Sequence, residues 1–102
     1  MKAIVLIKIE TGEIKEAFRD IKRLPRIVHT QFVCAHLTFG PYDAIVVIEA
    51  DDLNTIGKIV EREIQPIPGI LQTLTCLIVE GELFDEVRDQ TRQEPKLQPA
   101  LN

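Results

Sequence analysis

Residues 40–52, GPYDAIVVIEADD, contain the pattern that decides the fold. Gly40-Pro41-Tyr42-Asp43 has the composition of a tight turn. Residues 44–50 are almost entirely aliphatic, which is typical of a central strand that is covered on both faces. Asp51-Asp52 can then cap a helix, because an aspartate carboxylate accepts hydrogen bonds from the first unpaired backbone N–H groups of a helix. The stretch therefore predicts a turn, a buried strand and the start of a helix in direct succession.

Three further strands and two helices are predicted around this central strand. Apolar, β-branched runs indicate strands at residues 3–9, 27–39 and 70–79. One helix is expected between Gly12 and Pro25, and a second between Asp52 and the Pro-Ile-Pro-Gly segment at 66–69. Apolar residues at helical spacing are Ile14, Ala17, Phe18, Ile21 and Leu24 in the first helix, and Leu53, Ile56, Val60 and Ile64 in the second.

The two halves of the chain resemble each other. Residues 24–30, LPRIVHT, are similar to residues 67–73, IPGILQT, and the Ala-Ile-Val of residues 3–5 recurs at 44–46. Each half is then a strand–helix–strand unit. Two such units make the α+β, ferredoxin-like β-α-β-β-α-β sandwich, of the type found in dimeric α/β barrels.

In that fold both helices cover the same face of a four-stranded antiparallel sheet and leave the other face open. The second predicted strand has no polar face. One alternating set is Val33, Ala35, Leu37 and Phe39, and the other set is Val28, Thr30, Phe32, Cys34, His36 and Thr38. An apolar open face requires a partner, so a face-to-face homodimer is expected.

The length of 102 residues fits one domain, which we place at residues 1–83, followed by a polar C-terminal tail at 84–102. The net charge of −4 disfavours direct nucleic-acid binding, which requires clustered cations. The N-terminal apolar run has no signal-peptide cleavage site, and no stretch reaches the roughly 20 apolar residues of a membrane span. These features predict a cytoplasmic protein without a membrane segment.

The sequence contains no set of residues for catalysis, metal binding or cofactor binding. Cys34 and Cys76 lie in apolar runs, which predicts two buried thiols without a disulfide between them. His36 shares a strand face with Cys34, but a buried histidine is favoured over a ligand, and His29 is expected on the opposite face. No Gly-rich phosphate loop is present. We therefore expect no enzyme activity, no metal and no cofactor.

Two motifs combine polar chemistry with exposed positions. Gly40-Pro41-Tyr42-Asp43 joins an aromatic hydroxyl to a carboxylate at the end of a strand, and Thr73-Leu74-Thr75 places two hydroxyl groups on one strand face. Each motif also has a purely structural interpretation. Asp43 can accept backbone hydrogen bonds inside a turn, and β-branched threonines are common in strands.

The chain resembles the effector-binding (RAM) domain of the Lrp/AsnC family of transcriptional regulators. The resemblance rests on Cys34, on Gly40-Pro41-Tyr42-Asp43 between two strands, and on Ile67-Pro68-Gly69-Ile70 before Thr73-Leu74-Thr75. It implies a homo-oligomer, a dimer or an octameric ring of dimers, that binds a small-molecule amino-acid effector between dimers. The ligand-binding residues implied by position are Gly40, Tyr42, Asp43, Thr73 and Thr75.

The resemblance also bears on the partners. Family regulators carry an N-terminal helix-turn-helix domain, whereas this sequence begins at its first strand, so it resembles a stand-alone form that acts through a partner such as a full-length regulator. Two alternatives stay open: an oxygenase or isomerase of the dimeric α/β-barrel type on the same fold, and a structural assembly domain with an empty cleft.

Overall fold

The computed structural model describes residues 1–79, which form a four-stranded sheet and two helices. In chain order the elements are β1 (Lys2–Ile9), α1 (Ile14–Lys22), β2 (Thr30–Leu37), β3 (Ala44–Ala50), α2 (Leu53–Ile59), a π-helical segment (Val60–Ile64) and β4 (Ile70–Leu77). The predicted domain boundary at residue 83 and the predicted tail at 84–102 lie outside the described residues.

The strand order is β2-β3-β1-β4, and all three neighbouring pairs are antiparallel. This arrangement confirms the ferredoxin-like fold predicted from the sequence. β2 and β4 are the two edge strands, three strand spacings of about 4.8 Å apart. Cys34 and Cys76 lie on these opposite edges and both are free thiols, as predicted.

The core lies between the helices and one face of the sheet. Every second residue of β1 is buried, and the same alternation is present in β3. Ala17 and Ile21 of α1 pack on this layer, together with Ile59, Val60 and Ile64 from the second helical region. Leu53 is exposed although it was predicted in the apolar stripe, because it is the first residue of α2 and the buried face begins at Ile56.

β2 contains a bulge that the sequence pattern does not reveal. Phe32 pairs with Ile48 and Cys34 with Val47, so Val33 is the extra residue on β2. Phe32 therefore lies on the helix-covered face with Ala35, and the prediction that it shares a face with Cys34 is wrong. Residues alternate between the two faces on each side of the bulge, but the bulge shifts the phase, so the predicted alternating sets do not continue across Val33.

Cys34, Cys76 and His36 were each predicted to be buried, and these three predictions need correction. In the single chain Cys76 and His36 are exposed, and Cys34 is half-buried. They lie on the sheet face opposite α1 and α2, which neither of these helices covers. His29 precedes β2 with a positive φ of 60°, and its Nδ1 atom lies 3.4 Å from Asp51 Oδ2.

Within residues 1–79, no helix is long and apolar enough to cross a membrane.

Candidate functional site

The Gly40-Pro41-Tyr42-Asp43 motif forms the loop between β2 and β3. Thr38 closes this loop: its backbone N–H donates to Asp43 O over 2.9 Å, and its hydroxyl donates to Tyr42 O over 2.7 Å. Gly40 has a φ of 144°, which L side chains rarely adopt. Gly40 is exposed, whereas Tyr42 and Asp43 are half-buried. The loop is thus a closed turn at one end of the sheet.

Asp43 fixes this loop to β1. Its backbone N–H donates to Ile7 O, and its Oδ2 atom accepts the backbone N–H of Ile9, each over 2.8 Å. The carboxylate oxygen takes the place of the next carbonyl in the β1–β3 ladder. Among the described residues, Oδ1 of Asp43 has no hydrogen-bond donor, so one carboxylate oxygen can still accept a bond from a ligand.

Lys8 supplies a positive charge beside the same loop. Its Nζ atom donates to Pro41 O over 3.0 Å, so the ammonium group lies against the turn rather than extending into solvent. The end of the sheet therefore combines one carboxylate with one ammonium group, which suits a zwitterionic ligand better than a purely anionic one.

Thr73 and Thr75 lie on β4, on the helix-covered face of the sheet. Thr73 pairs with Ile7 and Thr75 with Val5, and both of these β1 residues are buried beneath the helices. This confirms the prediction that the two hydroxyl groups share one face. Thr73 is half-buried and its Oγ1 atom accepts a 3.0 Å hydrogen bond from Gln65 Nε2, while Thr75 is exposed.

The predicted site residues form two groups in one chain rather than a single pocket. Asp43 continues β3, and Thr73 belongs to β4, so β1 runs between them. Two strand spacings of about 4.8 Å separate the groups. The two groups are at the same end of the sheet, since Asp43 bonds to Ile7 and Thr73 pairs with Ile7.

Two cavities in the described part of the chain lie at opposite ends of the sheet. A cavity of about 400 Å³ adjoins Thr73 and is lined by Gln65, Ile70, Leu71, Gln72 and Thr73. A larger and more open cavity of about 510 Å³ lies at the opposite end, around His29, Glu49 and Asp51. None of the predicted ligand-binding residues lines the larger cavity, so its size alone gives it no role.

The chemistry available in the described chain is hydrogen bonding. Within residues 1–79 no group of three potential metal-ligating side chains comes together. The pKa of Asp52 lies below its ordinary value of 3.8, because its carboxylate accepts the backbone N–H of Thr55 at the start of α2. That residue is a helix cap, as predicted from Asp51-Asp52, and it lies outside the predicted site.

Comparison with known proteins identifies the family of the chain. The Lrp/AsnC ligand binding domain pattern matches residues 2–93. The chain belongs to the Lrp/AsnC ligand-binding domain family. No curated protein sequence matches it.

Solved structures with this Lrp/AsnC fold are distant in sequence. TTHA0845 from Thermus thermophilus is 23% identical with a TM-score of 0.68, over 79% of this chain and 95% of that protein. AsnC of E. coli is 15% identical with a TM-score of 0.65, over 78% and 51%. The regulator NMB0573 of Neisseria meningitidis, solved in complex with L-Met, is 14% identical with a TM-score of 0.62, over 78% and 49%. The chain therefore spans about half the length of the two regulators.

As a member of the Lrp/AsnC ligand-binding domains, the chain belongs to the sensing part of a family of transcription regulators. This membership points away from the enzyme alternative. Sequence reasoning missed two polar residues beside the predicted site, Lys8 and Gln65. Gln65 follows a helix and precedes a proline, and no motif in the sequence connects it with Thr73.

Proposed function

We propose that this Lrp/AsnC ligand-binding domain senses a small amino acid, bound by Gly40, Tyr42, Asp43, Thr73 and Thr75 in a homo-oligomer. The observation that carries the proposal is the half-engaged carboxylate of Asp43. Its Oδ2 atom is held by Ile9, so the group has a fixed direction, and its other oxygen can accept a charge-assisted bond from a ligand ammonium group.

The separation of the two residue groups supports a site that is completed by a second copy. β1 separates Asp43 from Thr73 within one chain, so a small ligand reaches both groups more easily when they come from adjacent copies. The chemistry of the groups is complementary: the loop offers a carboxylate, and the threonines offer neutral hydroxyl donors and acceptors.

The open face of the sheet supports oligomer formation. Its centre consists of two rows across the strands: Cys34, Val47, Ile4 and Cys76 in one, and His36, Ile45, Leu6 and Leu74 in the other. Polar residues border these rows, with Lys2 opposite Glu49 at one end and Lys8 opposite Gln72 at the other. An apolar centre with a polar rim is the usual anatomy of a protein interface.

A regulatory role would pass through a protein partner. The net charge of −4 opposes direct binding to the phosphates of DNA. A full-length regulator of the same family is a suitable partner, since its own sheet face would present the same complementary surface.

Thermal-shift measurements with each of the twenty amino acids test the proposed function. A ligand at 100 times its dissociation constant adds about 2.7 kcal/mol to the free energy of unfolding. For a domain of this size that corresponds to an increase in melting temperature of about 10 °C or more. An unchanged melting temperature with all twenty amino acids at millimolar concentration would contradict the proposal and leave a purely structural assembly domain.

A further inference from the structure

One wall of the cavity beside Thr73 is Gln65, which directly follows a π-helical segment that the sequence does not predict. Gln65, at the end of the π-helical segment, donates its backbone N–H to Val60 O, five residues earlier, over 2.8 Å. A π-helical turn contains one residue more than an α-helical turn, and such turns are frequent at functional sites. The turn brings the Gln65 side chain to β4, where its Nε2 atom bonds to Thr73 Oγ1.

The hydrogen bond between Gln65 and Thr73 determines which donor and which acceptor of these side chains remain for a ligand. Thr73 Oγ1 acts as the acceptor, so the Thr73 hydroxyl hydrogen can be donated to a ligand. The Oε1 atom of Gln65 has no donor among the described residues and can accept a hydrogen bond. The pair therefore presents one donor and one acceptor at the wall of the same cavity.

The backbone of β4 adds a second donor and acceptor. The backbone carbonyl of Ile7 accepts a hydrogen bond from the backbone N–H of Asp43, which lies on the β3 side of β1. The N–H and C=O of Ile7 therefore point towards β3 and away from β4. In an antiparallel ladder, the partner of such a residue also directs its N–H and C=O outwards. Thr73 is that partner, and β4 is an edge strand, so its N–H and C=O lie at the free edge of the sheet.

The charge of the cavity restricts the class of ligand. Within residues 1–79, its lining consists of two glutamines, one threonine, one isoleucine and one leucine, without a charged side chain. Phosphate groups and side-chain carboxylates are normally bound by Arg or Lys, and neither residue type lines this cavity in the described part of the chain. The neutral hydrogen-bond donors and acceptors of the cavity suit a ligand group that also has a donor and an acceptor and carries no net charge.

We propose that Gln65 is a ligand-contacting residue of the effector site, and that its cavity selects a neutral amino acid, zwitterionic at its head and uncharged in its side chain. This inference rests on the proposed function and deepens it. It assigns a residue outside the two sequence motifs, and it excludes phosphorylated metabolites and amino acids with charged side chains as the preferred ligand.

The test combines NMR spectroscopy with calorimetry on the full chain. The side-chain amide signals of Gln65, assigned by their loss in Gln65→Leu, are followed while each of the twenty amino acids or inorganic phosphate is added. Glu61→Leu is the matched control, since Glu61 is exposed on the same π-helical segment and does not line the cavity. The backbone spectrum of each variant reports whether its fold is retained.

The expected result is that a neutral amino acid shifts the Gln65 side-chain signals and that phosphate does not. Gln65→Leu should then weaken binding about tenfold, as loss of one hydrogen bond predicts, while Glu61→Leu leaves affinity unchanged.

The inference would be overturned, and the proposed function left intact, by an amino acid that binds without shifting these signals and that binds wild type and Gln65→Leu with equal affinity. Preferred binding of phosphate or of a charged amino acid would overturn the ligand class. Absence of binding by all twenty amino acids would overturn the inference together with the proposed function.

Discussion

Asp43 is bound to the backbone through one of its two carboxylate oxygens, and the proposed function gives it a second role that can be separated from this structural one. The Oδ2 atom accepts the N–H of Ile9 and stabilises the end of the β1–β3 ladder. The other oxygen is the group that we assign to the ligand. Substitutions can separate the two roles, because asparagine preserves an oxygen acceptor while it removes the negative charge.

We therefore predict that Asp43→Asn leaves stability nearly unchanged and weakens amino-acid binding by roughly ten- to a hundredfold. The loss corresponds to about 1.5–3 kcal/mol for a hydrogen bond to a charged group. Asp43→Ala should also leave the Ile9 N–H without its acceptor, at a cost of about 1–3 kcal/mol in the free energy of unfolding. Calorimetry and denaturant unfolding measure the two effects; equal ligand affinity in wild type and Asp43→Asn would show that Asp43 has only the structural role.

At the residue scale, sequence reasoning identified the positions that carry recognisable chemistry. The turn at 40–43 and the paired threonines were predicted, and the register confirms that Thr73 and Thr75 share a face. Gln65 was not predicted, because its contact with Thr73 depends on how the helix ends rather than on any local motif. The two exposed side chains Cys76 and His36 were predicted to be buried, since an apolar strand does not reveal which of its faces lacks a covering helix.

At the scale of elements, the periodicity of the sequence predicted the four strands and two helical regions found within residues 1–79. It failed where one residue is added to a regular pattern. The bulge at Val33 and the π-helical turn at 60–64 each insert such a residue. Each insertion changes the direction in which the side chains after it point. Tertiary packing decides where these insertions occur, so local periodicity could not indicate them.

Gly69 joins the π-helical region to β4 and controls the position of the strand that carries both threonines. Its φ is 93°, and a Cβ atom at this position would lie 2.9 Å from the Cβ atom of Glu13. We predict that Gly69→Ala lowers the free energy of unfolding by about 2 kcal/mol, through backbone strain and this contact.

Gly57 provides the matched control, because it lies in α2 and a methyl group added there would meet no atom within 4 Å. Gly57→Ala should raise the free energy of unfolding by up to about 1 kcal/mol, since alanine is the better helix former. Urea unfolding of both variants measures the effects. Equal stability of Gly69→Ala and wild type would show that the connection to β4 is not constrained as the geometry indicates.

The cap of α2 predicts a dependence of stability on pH. The folded-state pKa of Asp52 is lowered below 3.8 by the hydrogen bond from Thr55, so its stabilising effect is present above that pH and is lost as the pH falls through the folded-state pKa. Asp52→Ala should therefore melt at a lower temperature than wild type at neutral pH, and the difference should shrink below pH 3.8. Thermal melts across this range would refute the cap if the difference stayed constant.

At the scale of the whole molecule, we propose that the sheet face opposite the two described helices is the interface between copies of the chain. Leu74 is 44% exposed at the β4 edge of this face, and Leu6 lies beside it in the same row. We predict that Leu6→Lys, which places a charge at the centre of the face, converts the oligomer to a monomer that remains folded. Light scattering and circular dichroism measure this, with Lys15→Glu at an exposed position of α1 as the control. A wild-type protein that is monomeric at micromolar concentration would refute the interface itself.

The central claim is that an amino acid binds at a site completed by a second copy of the chain. It follows from the position of Asp43 and Thr73, which lie on either side of β1 within one chain. Native mass spectrometry tests both parts at once, on protein mixed with the amino acid that gives the largest thermal shift. We expect an even-numbered oligomer that retains the amino acid, and the same oligomer without it in Asp43→Asn. A monomer, or an oligomer that does not retain the added amino acid, would contradict the claim.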